Sequence, residues 1–171
     1  FIGKNYNSEI AYFRGINIPT IKADLKHLGA ALAAKGGHAI YHVEHITPED
    51  SYIKNSEEMG LIRDTISVSA DELTAMKDEL YPYDGKDTDV FVLGCPQFGI
   101  SEFQRLYILL NDRKISKDRR VIVYTNKAMR EMLDPKVLKG VIESGGEVYD
   151  DTCMVVTPLD RLGFERVGTD S

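Results

Sequence analysis

The amino-acid sequence predicts an α/β protein built on a doubly wound parallel sheet flanked by helices. Three observations carry this. Short apolar runs bounded by polar or glycine residues recur in the second half of the chain; the segments between them space their apolar residues as helices do; and the resulting order β-α-β-α-β has connections long enough for parallel crossovers. A chain of 171 residues, 43% of them hydrophobic, can bury one respectable core, so a single domain over residues 1–171 is expected.

Taken in order, Phe1 to Ile18 mixes Gly, Asn, Tyr and Arg without a clean period and reads as irregular chain leading to Pro19-Thr20. Ile21, Leu25, Leu28, Ala31 and Leu32 recur at helical spacing, and Gly36-Gly37 supplies a stop, which predicts a helix from Ile21 to Ala34. Ala39 to Val43 is a short strand rich in β-formers, and Thr47-Pro48-Glu49-Asp50 resembles the start of another helix because proline suits the first helical position. Residues 51–68 favour no single state, although Ile66-Ser67-Val68 looks extended. Ser69-Ala70-Asp71-Glu72 then caps a helix running to about Leu80, which Tyr81-Pro82-Tyr83-Asp84-Gly85 ends.

Asp89 to Gly94 is a short apolar run of the kind buried on both faces of a sheet, and it reads as a central strand. Ser101 to Leu110 is an amphipathic helix with Ser101 as its cap, and Arg120 to Tyr124 is a second buried strand. Lys127 to Ser144 carries one or two helices interrupted at Pro135; Gly145-Gly146 ends them, and Glu147-Val148-Tyr149 begins a third strand. The closing Gly168-Thr169-Asp170-Ser171 has the signature of neither helix nor strand. With an opening Phe1, it marks the chain as a fragment of a larger protein. No internal repeat, low-complexity tract or linker divides it.

A formal net charge of -6, with lysines and arginines interspersed among acids, argues against nucleic acid as a partner. No apolar stretch approaches the roughly 18 residues that span a bilayer, and no secretory signal opens the chain. The expectation is a cytoplasmic protein with no membrane contact. There the two cysteines stay reduced, so a metal-binding or catalytic role competes with that of plain core thiols.

Ligands of such sheets bind beyond the carboxyl ends of the strands, and both cysteines lie there. Cys95 follows Leu93-Gly94 and precedes Pro96-Gln97-Phe98; Cys153 follows Asp150-Asp151-Thr152 after the third strand. Glycine lets the backbone turn sharply and proline stiffens the far side of the thiol, punctuation that a cysteine in mid-strand does not need. The spacing is not of the CxxC kind, and no histidine with an orienting acid pairs recognisably with either thiol, which weakens a catalytic-nucleophile reading. Thr125-Asn126-Lys127, at the end of the second strand, can offer polar groups to an anionic substrate near the following helix. His42 and His45 can reach a substrate carboxylate from their strand end, although a histidine near an apolar strand is more often a satisfied structural residue. Glu44 and Glu49 read as loop residues rather than as acid and base, and Asp150-Asp151 as a turn signal before a metal site.

The words around the cysteines narrow the choice. Val92-Leu93-Gly94-Cys95-Pro96 and Asp151-Thr152-Cys153-Met154-Val155-Val156-Thr157-Pro158 resemble the two cysteine-bearing segments of the aconitase X family. Tyr12-Phe13-Arg14-Gly15, Leu28 to Ala34 and Tyr41-His42-Val43-Glu44-His45-Ile46-Thr47-Pro48-Glu49 are similar to that family's upstream segments, in the same order along nearly the whole chain.

The resemblance implies an aconitase-like hydro-lyase acting on a small hydroxy acid: phosphomevalonate in an archaeal mevalonate route, or cis-3-hydroxy-L-proline. It implies an iron-sulfur cluster, 4Fe-4S or 2Fe-2S, or a mononuclear iron, with Cys95 and Cys153 as two of the ligands. It also implies parts outside this chain: a third cysteine upstream of Phe1, a Ser-Gly-Lys-like segment downstream of residue 171, and a small swivelling portion, separate or fused, that supplies a serine base. The chain departs from the family at Gln97, where a histidine is common; an amide can hydrogen-bond an oxyanion but cannot exchange a proton near neutral pH.

The chemistry suits this arrangement. Dehydrating a β-hydroxy acid expels hydroxide, a poor leaving group, and iron is a Lewis acid that stabilises it. Neighbouring strands lie about 4.8 Å apart, so two thiols share one centre only if their strands are adjacent or nearly so. The expectation is that the Val90 to Leu93 strand lies beside the Val148 strand. The rival reading from a different class is a non-catalytic α/β ligand-binding or regulatory domain whose cysteines are bystanders.

Overall fold

The computed structural model describes residues 1–6, 10–16, 22–60, 62–81 and 85–170. The approach through Pro19-Thr20, the helix start at Ile21 and the stop at Pro82 to Asp84 lie outside the described residues. The chain divides into two compact units, Phe1–Asp84 and Gly85–Ser171, where length alone predicts one domain. Both are α/β, as the sequence predicts.

The first unit contains α1 (Ile2–Asn5), β1 (Ala11–Phe13), α2 (Lys22–Gly36), β2 (Tyr41–Val43), α3 (Asp50–Glu58) and α4 (Ala70–Leu80). Strands β1 and β2 pair in parallel, with Tyr12 opposite His42. The short α1 and β1 fall in a stretch that reads as irregular from sequence, because three or four residues are too few to show a period. Helix α2 covers one face of the pair: Leu32 and Val43 are buried, and the Tyr41 hydroxyl donates to the Leu25 carbonyl at 2.5 Å. Helix α1 packs against the end of α2 at Gly3, where a Cβ would lie 2.8 Å from that of Lys35. Helix α4 has the predicted cap, for Ser69 Oγ accepts from the Glu72 amide while the Glu72 carboxylate accepts from the Ser69 amide. Ile66 to Val68 forms no strand.

The second unit contains β3 (Val90–Leu93), α5 (Ile100–Leu110), β4 (Arg120–Thr125), α6 (Lys127–Met132), α7 (Pro135–Glu143), β5 (Gly146–Asp150) and β6 (Val167–Thr169). Its sheet is wholly parallel in the order β5-β4-β3-β6. Alternate residues of β4 serve opposite faces, as a period of two requires. Val123 joins Phe98, Phe103, Leu133, Val137 and Val141 on the side of α5 and α7, whereas Ile122 and Tyr124 join Val90 and Val92 under Met154, Leu159 and Phe164. The second face is therefore closed by the turn-rich connection 151–166 rather than by a helix.

Two expectations change here. The chain's last residues do form a strand: β6 pairs with β3, Val90 opposite Val167 and Val92 opposite Thr169. Three residues with a central glycine carry no β signal, and the open edge of β3 recruits them. The strand holding Val148 is not beside the Val90 strand either, because β4 lies between them. Helix boundaries move less. Glycine at position 99, whose amide donates to the Glu102 carboxylate at 2.7 Å, precedes α5 in place of Ser101. Pro135 opens α7 behind an Asp134 cap instead of breaking a longer helix.

Candidate functional site

Because all four strands of the second unit run the same way, their carboxyl ends gather on one edge. The loops leaving that edge carry Gly94-Cys95-Pro96-Gln97 after β3, Asn126 after β4, Asp151-Thr152-Cys153 after β5 and Asp170 after β6. The strand order runs outward from β3 through β4 to β5 and then reverses to β6, so the Cys95 loop leaves the sheet at the switch point where open α/β sheets bind ligands.

Gly94 has φ +98°, a left-handed conformation, and an added Cβ would lie 2.3 Å from the Tyr124 carbonyl oxygen. Only glycine meets both demands. Its amide donates to Asp170 Oδ1 at 3.3 Å, which ties the β3 and β6 loops together. The Cys95–Pro96 peptide is cis. Beyond it, the Phe98 amide donates to the Tyr124 carbonyl at 2.8 Å and holds the loop back over β4.

The loops after β3 and β5 also meet, although their strands are not neighbours. Gln97 Nε2 donates to the Thr152 carbonyl at 2.9 Å, next to Cys153. A second brace follows, in which Thr157 Oγ1 donates to the Cys153 carbonyl at 2.9 Å and accepts from the Tyr124 hydroxyl at 2.7 Å. Both cysteines are free thiols of intermediate exposure. They sit on two loops that the Gln97–Thr152 hydrogen bond joins. Among the described residues no three His, Cys, Asp or Glu side chains form a metal-holding group. Two thiol donors suit iron well, since the thiolate is a ligand of iron-sulfur centres.

Thr125 and Asn126 occupy the predicted strand end with different assignments. Thr125 is fully buried and its hydroxyl donates to the Phe98 carbonyl at 2.8 Å, so its side chain supports the Cys95 loop and presents no surface to a ligand. Asn126 Oδ1 accepts from the Met129 amide at 2.9 Å as the cap of α6. Asp151 accepts from the Lys127 amide at 3.1 Å, and Arg130 holds Asp150 at 3.0 Å, which makes both acids braces of the β4 and β5 ends.

His42 and His45 belong to the first unit, at the carboxyl end of β2. His45 has φ +61°, is exposed, and sets Nδ1 3.4 Å from Asp50 Oδ2, while Asp50 Oδ1 accepts from the Tyr12 hydroxyl at 2.7 Å. Burial first, and then the hydrogen bond to Asp50, push the Tyr12 phenol up to about 12. His42 sets Nδ1 3.6 Å from Glu49 Oε2 and lines a cavity of about 480 Å³ with Ile10, Ala39, Ile40, Tyr41 and Glu49. The bracing roles of Asp170 and Thr157 escaped sequence reasoning, which read Glu49 only as a loop residue, since no local spacing signals a contact made across the fold.

Comparison with known proteins agrees with the fold. Residues 1–78 match the aconitase X second domain and residues 88–171 the aconitase X third domain. The chain belongs to the aconitase X family and carries two of its successive domains, so the division into two units has a counterpart in the family. It is 38% identical over 171 residues to the phosphomevalonate dehydratase large subunit of Methanothermobacter thermautotrophicus, covering 99% of this chain and 41% of that protein. It is 28% identical over 179 residues to cis-3-hydroxy-L-proline dehydratase of Hypocrea jecorina, covering 99% of this chain and 29% of the relative. The holo form of aconitase X from Thermococcus kodakaraensis superposes with a TM-score of 0.80 at 28% identity, over 99% of this chain and 42% of that one. The chain thus spans about two fifths of the length of its phosphomevalonate dehydratase relatives. No helix among the described residues is long and apolar enough to cross a membrane.

Proposed function

We propose that the chain is part of the large, catalytic subunit of an iron-dependent hydro-lyase that dehydrates phosphomevalonate. The observation that carries this is the Gln97–Thr152 hydrogen bond, 2.9 Å long, which holds the Cys95 and Cys153 loops together beyond the sheet. In support stand the five phosphomevalonate dehydratase large subunits among its relatives, at 30–38% identity. Their description as large subunits supports a small-subunit partner. Dehydration of cis-3-hydroxy-L-proline is the second reading, favoured by the more distant relatives of that activity at 25–28% identity.

In this reading Cys95 and Cys153 give two thiolates to an iron-sulfur or mononuclear iron centre, and the remaining ligands come from outside residues 1–171. Iron, when bound, supplies a Lewis acid for the substrate's departing hydroxyl. The protein's own contribution is to hold the two thiols still. Gly94 turns the β3 loop, Phe98 and Thr125 pin it to β4, Gln97 fastens the β5 loop against it, and Thr157 ties the Cys153 carbonyl to the Tyr124 hydroxyl of β4. Such preorganisation lets the ligands meet the metal without reordering.

The test is the iron and acid-labile sulfide content of the full-length protein purified without air, beside a Cys95→Ser, Cys153→Ser variant, with turnover of phosphomevalonate and cis-3-hydroxy-L-proline. Stoichiometric iron that the variant loses, with dehydration of phosphomevalonate, is the expected result. Equal, substoichiometric metal in both proteins would return the cysteines to a structural role.

A further inference from the structure

Tyr124 stands near the carboxyl end of β4, the strand that separates the two cysteine-bearing strands. It is buried, and its ring packs with Val90, Val92 and Ile122 under the connection 151–166. The residue meets both cysteine loops, one with its main chain and the other with its side chain. Its carbonyl accepts from the Phe98 amide at 2.8 Å, and the chain at Gly94 passes so close that a Cβ there would lie 2.3 Å from the same oxygen. One carbonyl thus brackets Cys95 from both sides in the chain.

The phenol reaches the other loop. Its hydroxyl donates to Thr157 Oγ1 at 2.7 Å, and Thr157 Oγ1 donates to the Cys153 carbonyl at 2.9 Å. The order of protons in this relay has one solution. A carbonyl only accepts, so the single threonine proton goes to Cys153 and the tyrosine must supply the other. Residues 153–157 also bond among themselves, for the Val156 amide donates to the Cys153 carbonyl at 3.3 Å and the Thr157 amide to the Met154 carbonyl at 3.2 Å. Such a closed turn moves as one piece, and fixing Thr157 fixes Cys153. A buried tyrosine hydroxyl needs a partner in any core. Here the partner passes the bond on to the backbone of the cysteine itself.

We propose that Tyr124 is a positioning residue that sets the two thiols relative to each other, its main chain holding the Cys95 loop and its phenol holding the Cys153 loop. The assignment rests on the reading of both cysteines as ligands of one iron centre and deepens it by naming the residue that keeps their spacing. Groups that orient metal ligands without touching the metal are worth about 10–100-fold in metal affinity. The division of labour within Tyr124 makes the role separable. Phenylalanine keeps the carbonyl and the ring but has no proton to give, so Tyr124→Phe releases the Cys153 loop alone.

The experiment is amide hydrogen exchange, read by mass spectrometry on the full-length protein as purified without air. In Tyr124→Phe the amides of residues 153–157 are expected to exchange about tenfold faster than in the parent, while those of residues 97–99 keep the parent's rates. Thr157→Val repeats the effect, and Thr157→Ser, which keeps the hydroxyl, restores the parent's behaviour. Ile122→Val loosens the same core without a bond to either loop and is expected to leave the two segments in step. In the iron-loaded protein, Tyr124→Phe and Thr157→Val should release iron to a chelator about tenfold faster and alter the visible circular dichroism of thiolate-to-iron charge transfer, whereas Thr157→Ser and Ile122→Val should do neither. Equal acceleration of both segments in Tyr124→Phe, or of neither, overturns the proposal. So does a Thr157→Ser variant that behaves like Thr157→Val, or iron release that all four variants leave unchanged. Exchange is read whatever the iron content, so a parent that takes up no iron marks the failure of the iron reading separately.

Discussion

The side-chain amide of Gln97 reaches 2.9 Å to the backbone carbonyl of Thr152, and this one bond joins two loops whose strands are separated by β4. Removing it in Gln97→Ala takes away this tie between the two loops. Loss of a single partly buried hydrogen bond costs about 1 kcal/mol, so a modest fall in thermal midpoint is expected. Iron retention should suffer more than stability, with faster metal release to a chelator and an unchanged far-UV circular dichroism spectrum. Gln97→Glu should behave like the alanine variant, because an ionised carboxylate cannot donate to the Thr152 carbonyl.

Gly94→Ala should be among the most damaging single changes in the second unit. The residue has φ +98° and its Cβ would stand 2.3 Å from the Tyr124 oxygen, which is backbone and cannot swing aside. A loss of about 3 kcal/mol or more is expected from the strain and the collision together. Denaturant unfolding measures it, and a variant within 1 kcal/mol of the parent would contradict the geometry.

Thr125→Val separates support from recognition. The swap nearly preserves shape but removes the hydroxyl that donates to the Phe98 carbonyl inside a fully buried site. Destabilisation of about 1–2 kcal/mol is expected. KM for the hydroxy acid should stay within twofold of the parent, since no part of the Thr125 side chain is accessible.

Acid should loosen the outer edge of the sheet through Glu147. The bidentate hydrogen bonds from Arg120, at 2.7 Å each, hold its carboxyl below the ordinary range, with a further contribution from Tyr149. A lowered folded-state value means that the stabilisation is complete above the unfolded value and disappears as pH falls through the folded one. The window is therefore below about pH 4.3, the unperturbed glutamate value. Arg120 is 43% exposed and Glu147 31%, so the contribution is about 0.5–1 kcal/mol. Glu147→Gln should flatten that part of the plot of thermal midpoint against pH and leave the plot near neutrality shifted by no more than this amount.

The sequence by itself determined β3, β4, β5 and the helices of the second unit, the α/β class, and the position of both cysteines just past strand ends. Those features are written in windows of about ten residues: the Val90 to Leu93 and Arg120 to Tyr124 runs are rich in the apolar residues of a parallel sheet, and Gly94 and Gly145 mark where the chain turns. The family words around Cys95 and Cys153 were legible for the same local reason. Only the tertiary structure decided that β4 separates the two cysteine strands, that Val167 to Thr169 becomes a strand on the far side of β3, and that one chain makes two units. It alone turned Thr125 from a ligand contact into a brace and set Glu49 against the buried nitrogen of His42. Such outcomes depend on partners far apart in the chain, 55 residues for Gln97 and Thr152 and 76 for Gly94 and Asp170. No local pattern of hydrophobicity or propensity encodes them; they are settled when sheet order and side-chain packing choose which groups meet.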